Sequence, residues 1–202
     1  LLKALTEHLQ PLGEKRKDIE KALNLAYEKQ ETVRQKLLAA GEKALHQLQQ
    51  SGEIGIVLVG RTYNVYDRGL TLDIGNKLRN YYGVNVIPVD FLPVEEVDIS
   101  DINTNMYWNY GRKIIAAARI VGQYPNLHII YITNFKCGPD SYVKHYITQA
   151  SNKPFLTLQF DGHGNDAGYL TRCEAYLDSK GALRRWRTQP DSVMVESNFT
   201  EV

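Results

Sequence analysis

Four short apolar runs constrain this chain more than any other feature. They are Ile54–Val59, Val84–Val89, Leu127–Ile132 and Pro154–Phe160. Each ends in a polar loop, and each is followed by a stretch with helical spacing. Runs of this length, bounded by Gly, Pro, Asn or Asp, read as buried strands. Strand–helix alternation argues for a parallel sheet with helices on both faces. The expectation is an α/β fold, flavodoxin-like or Rossmann-like, with a small parallel sheet of about four strands. Right-handed crossovers would place every strand's carboxyl end on one edge, where open α/β sheets bind ligands. Pro88 marks the second run as an edge strand or a strand terminus.

The stretch before the first strand is different. Leu1 to about Gln10 reads as a short helix broken near Pro11-Leu12-Gly13. From Glu14, residues Ile19, Leu23, Ala26, Val33, Leu37, Ala40, Ala44 and Leu48 form one apolar stripe on a charged helix, with Gln30 at an intervening slot. Gly41 is a candidate interruption, at a cost of about 1 kcal/mol relative to Ala. Such a helix either packs on its own domain, forms a hairpin arm, or lies along a partner. The division expected is a helical arm over residues 1–50 and an α/β domain over 51–202.

Between the strands, Leu70, Ile74, Leu78 and Tyr81 predict a helix from Leu70 to Tyr82, closed by Gly83. Ser100 and Asp101 are candidate caps for a helix from about Ile102 to Gly122. Further helices are expected near Ser141–Ala150 and through Thr171–Leu177. Arg184, Arg185 and Arg187 could dock an acidic surface or form a solvated patch, and Val193–Val195 reads as one more short strand.

Composition excludes several classes. The 202 residues, 43% hydrophobic, suit one α/β domain plus an appendage. A net charge of +1 implies no pull toward nucleic acid or membrane. No apolar run approaches a spanning length, and the mixed N-terminus is no signal peptide. Two cysteines, Cys137 and Cys173, make no disulfide framework, which suggests a reducing, cytoplasmic setting. A first residue other than methionine suggests a piece of a longer polypeptide.

The candidate chemistry centres on Cys137. It should sit between the carboxyl end of a strand and the amino end of a helix, with Asp140 and Ser141 as capping residues. Unpaired N–H groups and the helix dipole there favour a thiolate, the form a soft metal or iron–sulfur cluster needs. The competing reading is a small buried residue in a tight turn. Fold geometry would also gather Arg61, Tyr63, Asp161 and His163 on that edge. His163, between two glycines, either holds a turn or donates a hydrogen bond to an anion or sulfur. A Cys137–His163 nucleophile and base pair needs the fold to join two loops. Cys173, among apolar neighbours, reads as core. Gly60-Arg61-Thr62-Tyr63-Asn64 is no dinucleotide fingerprint, and no Walker-type loop is present.

The string Thr133-Asn134-Phe135-Lys136-Cys137-Gly138-Pro139-Asp140-Ser141 resembles the Phe-Gly-Cys-Gly-Pro-Asp-Ser signature of 2-hydroxyacyl-CoA dehydratase D-component-like proteins and of acyl-CoA dehydratase activase-related proteins. Phe160–Gly168 with Thr171–Tyr176 is similar to their Asp-x-His-x-x-x-Ala-Gly and Thr-Arg-x-Glu-Ala-Phe run. Gly60-Arg61-Thr62-Tyr63 is similar to their Gly-Arg-Pro-Tyr. Lys136 stands where the family has glycine, Thr62 where it has proline, and Cys173 where it has an apolar residue.

The resemblance implies small parallel α/β domains that hold an iron–sulfur cluster through cysteines on separate segments. It also implies an ATP-hydrolysing activase with its own [4Fe–4S] cluster as electron donor. The parent reaction would be radical dehydration of a 2-hydroxyacyl-CoA, or ATP-driven reduction of small molecules. The cluster-ligand role carries to Cys137 alone. His163, Arg61, Tyr63 and Asp161 would be surrounding or ligand-binding groups. The implied partners are the remainder of a parent chain, with its ATPase modules and a cluster-completing domain, and an acyl-CoA substrate. One cysteine cannot hold a cluster stably, so the piece alone is expected to be inactive and to carry no metal. Two other readings stand beside this one. The first is a non-catalytic flavodoxin-like interaction module, with the N-terminal helix as its arm and a homodimer as one assembly. The second is an acyl-CoA-binding domain using Arg61 and helix amino ends for phosphates.

Overall fold

A computed structural model describes residues 1–162 and 164–183. His163, the three arginines after Leu183 and the strand expected at Val193–Val195 lie outside the described residues.

The sheet is as the apolar runs require. β1 (Gly55–Gly60), β2 (Asn85–Pro88), β3 (Leu127–Asn134) and β4 (Leu156–Phe160) lie in the order β2-β1-β3-β4. Every neighbouring pair is parallel. β2 is an edge strand and Pro88 is its last residue, paired with Leu58, so the ring takes no place in a central ladder. β1 is buried along its whole length, because parallel strands are covered on both faces.

Alternate residues feed two cores. Val57, Val59, Ile129 and Tyr131 pack with helices α6 (Asn109–Gly122) and α7 (Gly138–Ser151) and with the end of the long helix α2 (Arg16–Ser51). Ile56, Leu58, Ile130 and Ile132 face the other way, onto α5 (Ile74–Tyr82) and α8 (Ala167–Ser179). Lys153 ties α6 to the sheet. Its ammonium donates to the carbonyls of Val121 (3.2 Å), Leu127 (3.1 Å) and Tyr124, satisfying acceptors at the helix's carboxyl end.

The N-terminal helices form a hairpin arm. α1 (Leu2–Leu9) turns back through Gln10–Leu12 and Gly13, whose φ of 94° is a glycine conformation. Ile19 is buried near that turn, whereas Leu45 and Leu48 belong to the core of the α/β domain. Gly41 does not interrupt α2. A Cβ there would sit 1.9 Å from the Phe91 carbonyl oxygen, so the glycine lets the helix lie directly on the loop after β2.

Two expected helices are corrected. The stretch from Leu70 to Tyr82 is not continuous. α3 (Thr62–Tyr66) and α4 (Arg68–Thr71) come first, and then Leu72 and Asp73 take the left-handed conformation, at φ 51° and 56°. Asp67 starts α4 by accepting from the Leu70 amide at 2.9 Å, and Asp73 accepts from the Asn76 side chain at 2.8 Å. Asp67 thus caps α4, whereas Asp73 precedes α5 without a side-chain bond to its amides. Nor does a helix begin at Ile102; α6 starts at Asn109. The Asp98 carboxylate accepts from the Ser100 amide at 2.9 Å, and Asn103 accepts from the Asn105 amide at 3.0 Å. Such local bonds offer the backbone an alternative to the helix. Arg119 then binds the Asp98 carbonyl (2.8 Å) and the Asp101 carboxylate (2.6 and 2.7 Å), fastening this irregular stretch to α6.

Candidate functional site

In the order β2-β1-β3-β4 the chain leaves β1 to one side and returns on the other. The crevice between the carboxyl ends of β1 and β3 is the topological switch point. Two loops meet there, the one after Gly60 and the one from Asn134 to Cys137.

Arg61 spans them. Its Nη2 lies 2.9 Å from Asp140 Oδ2 and 2.7 Å from Asn134 Oδ1, and its Nη1 donates to the Tyr63 hydroxyl. The guanidinium also stacks over the Tyr63 ring, 5.0 Å from its centroid. Asn64, 1% exposed, fills the space behind, oriented to donate to Asn134 Oδ1 and accept from Arg61 Nη2, both at 2.9 Å. Burial disfavours the Arg61 charge, but the Asp140 carboxylate and Tyr63 outweigh it and its pKa rises. Most of its donors are therefore spent within the protein. An arginine held free for a ligand phosphate is not what the fold builds.

Asp140, 2% exposed, is the hub. It occupies the third position of α7 and accepts from Thr133 Oγ1 at 2.6 Å as well as from Arg61. Its other oxygen, Oδ1, is buried without a nitrogen or oxygen partner. The Tyr131 hydroxyl donates to the Asp140 carbonyl at 3.3 Å.

Cys137 lies where the strand–loop–helix order predicts, at the N-cap of α7 and partly exposed on the carboxyl edge. The expected thiolate is corrected. Burial pushes the thiol pKa up and the Asp140 carboxylate adds to it, while the Asp140 amide and the Arg61 guanidinium only partly oppose them. A helix terminus acts on a sulfur as anticipated, but the carboxylate at the same terminus repels a second negative charge. The turn before Cys137 closes with its amide on the Asn134 carbonyl, 3.2 Å away, and Lys136 sits in it at φ 61°. That positive φ explains why glycine suits this place in the resembled signature, and why lysine is strained there.

The remaining candidates fall as follows. Tyr63 is 49% exposed and meets Tyr110 edge-on at 5.9 Å, placing an aromatic wall beside Arg61. Asp161 is exposed just past β4, on the same edge of the sheet. Cys173 is fully buried and its pKa is pushed by burial to about 12, a core thiol. Among the described residues no group of three His, Cys, Asp or Glu could hold a metal ion. The donor set offered to a cluster is thus one sulfur, and the residues present do not fit a whole cluster. Sequence reasoning missed Asn64 and the hub role of Asp140. Asp140 stood in view only as a cap, and a buried loop asparagine leaves no pattern.

Fold and site together define a doubly wound α/β domain with an arginine–aspartate lock at its switch point and a cysteine beside it. Residues 1–92 match the family described as CoA enzyme activase uncharacterised domain. The match takes in the arm, β1 and β2, and ends before the Cys137 loop. It supports the activase side of the resemblance. No curated protein and no solved structure matches the chain. No helix among the described residues is long and apolar enough to cross a membrane.

Proposed function

We propose that this chain is the cluster-contributing domain of a CoA-substrate-specific enzyme activase or 2-hydroxyacyl-CoA dehydratase-like protein. Cys137 supplies one thiolate, and the rest of the parent protein supplies the other ligands. The observation that carries the reading is the placement of Cys137: a partly exposed sulfur at a helix N-terminus, on the ligand-binding edge, beside an arginine fixed by buried partners. The match of residues 1–92 to a CoA enzyme activase domain supports the same direction. A cluster would supply low-potential electron transfer. This chain's part is to hold one sulfur rigidly and to keep a cation, Arg61, near the negative charge that coordination creates.

The high thiol pKa is compatible with that part, because metal binding itself displaces the thiol proton. The test is anaerobic reconstitution of the full-length protein with iron and sulfide. Cys137→Ala is expected to lower iron content and bleach the charge-transfer absorption. Unchanged iron and an unchanged spectrum would remove Cys137 from the ligand set.

A further inference from the structure

Among the described residues the sheet has two edge strands, and they are built differently. β2 is four residues long and ends in Pro88, so it offers little for another strand to pair with. β4 is the other edge. Its sequence, Leu156-Thr157-Leu158-Gln159-Phe160, carries no charge and no proline. An uncharged, apolar-rich strand on an open edge is a template for pairing with another chain.

Parallel pairing fixes which groups β4 leaves open. The Phe135 amide donates to the Phe160 carbonyl at 2.9 Å, so Phe160, and with it Leu158 and Leu156, bonds to β3. Thr157 and Gln159 therefore turn their N–H and C=O groups to the open side. Both carbonyls are taken by α8. Arg172 Nη2 donates to the Thr157 carbonyl at 2.8 Å, and the Tyr169 hydroxyl donates to the Gln159 carbonyl at 3.1 Å. Other contacts hold the helix in place for this. Cys173 and Leu177 are buried in the core on that face of the sheet. The Tyr169 ring stacks on Phe160 with centroids 4.3 Å apart, and the Tyr176 hydroxyl donates to the Pro154 carbonyl at 3.0 Å. Tyr169, Arg172 and Tyr176 fall at helical spacing on one row of α8, beside the strand.

We propose that α8 guards this edge: Tyr169 and Arg172 hold the two carbonyls that an added strand would need, and so keep β4 from pairing with another chain. The strand kept off is β4 of a second copy. Two such edges meeting about a two-fold axis would run antiparallel, Leu-Thr-Leu-Gln-Phe against itself. Each incoming amide would have to displace a bond that α8 already makes. The open amides of Thr157 and Gln159 cannot complete a ladder alone, since a ladder needs donors and acceptors in alternation. The strand has no charge of its own to prevent the pairing, so the protection comes from the helix. The proposal does not depend on the cluster reading.

Sedimentation equilibrium of the full chain, and of the full chain with Tyr169→Phe and Arg172→Ala, tests it. Phenylalanine keeps a ring on Phe160, and Arg172 is exposed, so the two changes remove the guard and little else. The double variant is expected to self-associate at least about tenfold more tightly than the original chain. Amide hydrogen exchange at Thr157 and Gln159 locates the contact. It should slow with concentration in the variant, and stay fast at every concentration in the original. Association of the variant no tighter than that of the original overturns the proposal. A gain in association that leaves those two amides unprotected overturns it as well. Slow exchange at Thr157 and Gln159 in the unaltered chain overturns it equally, because the edge would then already be paired. Should the double variant not fold, Arg172→Ala alone is read in the same way.

Discussion

Arg61 and Asp140 face each other across the switch point with Nη2 and Oδ2 2.9 Å apart, their side chains 14% and 2% exposed. The pair joins the loop after the first strand to the helix after the third. Asn134 and Tyr63 bond the guanidinium and Thr133 bonds the same carboxylate oxygen, while Asp140 Oδ1 is left without a nitrogen or oxygen partner, so the charges are buried with partial compensation. The lock positions the amino end of α7, and Cys137 with it.

Breaking one side of the lock should cost far more than an exposed ion pair would. Asp140→Ala leaves the guanidinium and the Thr133 hydroxyl without their acceptor in a closed site, a loss of about 3–5 kcal/mol. Asp140→Asn keeps the shape and should cost less. Urea unfolding of both variants reads the difference. A loss below about 1 kcal/mol for Asp140→Ala would mean that water screens the pair as it does at surfaces.

Lys136 should be replaceable by glycine without loss. A non-glycine residue in the left-handed region costs about 1–2 kcal/mol, partly offset by the greater freedom of an unfolded glycine. Lys136→Gly is therefore expected to be neutral or to stabilise by up to about 1 kcal/mol. Lys136→Val, β-branched at φ 61°, should destabilise by a similar or larger amount. Thermal melts of the two variants against the original chain check the sign. Equal destabilisation by Gly and Val would show that the lysine makes a contact worth more than the strain.

The sheet was legible because parallel strands are buried on both faces and leave unbroken apolar runs, as in Ile54–Val59. The place of Cys137 was legible for a similar reason: an apolar run and a Gly-Pro step specify a strand–turn–helix, although Asp140 and Ser141, expected as caps, lie inside the first turn of α7 and Cys137 itself takes the N-cap position. Its protonation was not, because that depends first on how far the fold buries the sulfur and then on the charge of the Asp140 carboxylate near it. The Arg61–Asp140 bond joins residues 79 apart in sequence, and no local pattern signals it. The helix start near Ile102 was misread because Asp, Ser and Asn serve equally as caps and as builders of serial turns. Gly41 looked like a defect in a helix, since its reason, the carbonyl of Phe91, lies far away in sequence.

That carbonyl makes Gly41→Ala informative. By propensity alone alanine would stabilise the helix by about 1 kcal/mol. Here its methyl would meet the Phe91 backbone, which cannot swing aside as a side-chain end could. The expected outcome is net destabilisation of about 1–3 kcal/mol, with the arm prised from the α/β domain. Limited proteolysis should then cut near residue 41 faster than in the original chain. An increase in stability would place the arm farther from the loop.

His128 supplies a pH dependence. It sits on β3, its Nδ1 buried without a partner. Burial lowers its pKa from the ordinary 6.5 to about 4, with Lys180 and Lys153 adding repulsion. The native ring therefore stays neutral under conditions where the unfolded chain would take up a proton. Between pH 6.5 and about 4 the unfolded state binds the extra proton, so stability is full above the unfolded value and falls as pH drops through this window. Below the folded value the ring is protonated in both states and the loss levels off. Chemical denaturation at pH 7 and pH 5 should show a lower midpoint at pH 5. His128→Gln, which cannot take up the proton, should remove part of that difference. Carboxylates such as Glu95 lose their own stabilising contribution only as pH falls toward their lowered pKa values, so their effect lies at the acidic end of the scan and is separable. An unchanged pH 7 to pH 5 difference in the variant would assign the dependence to groups other than this histidine.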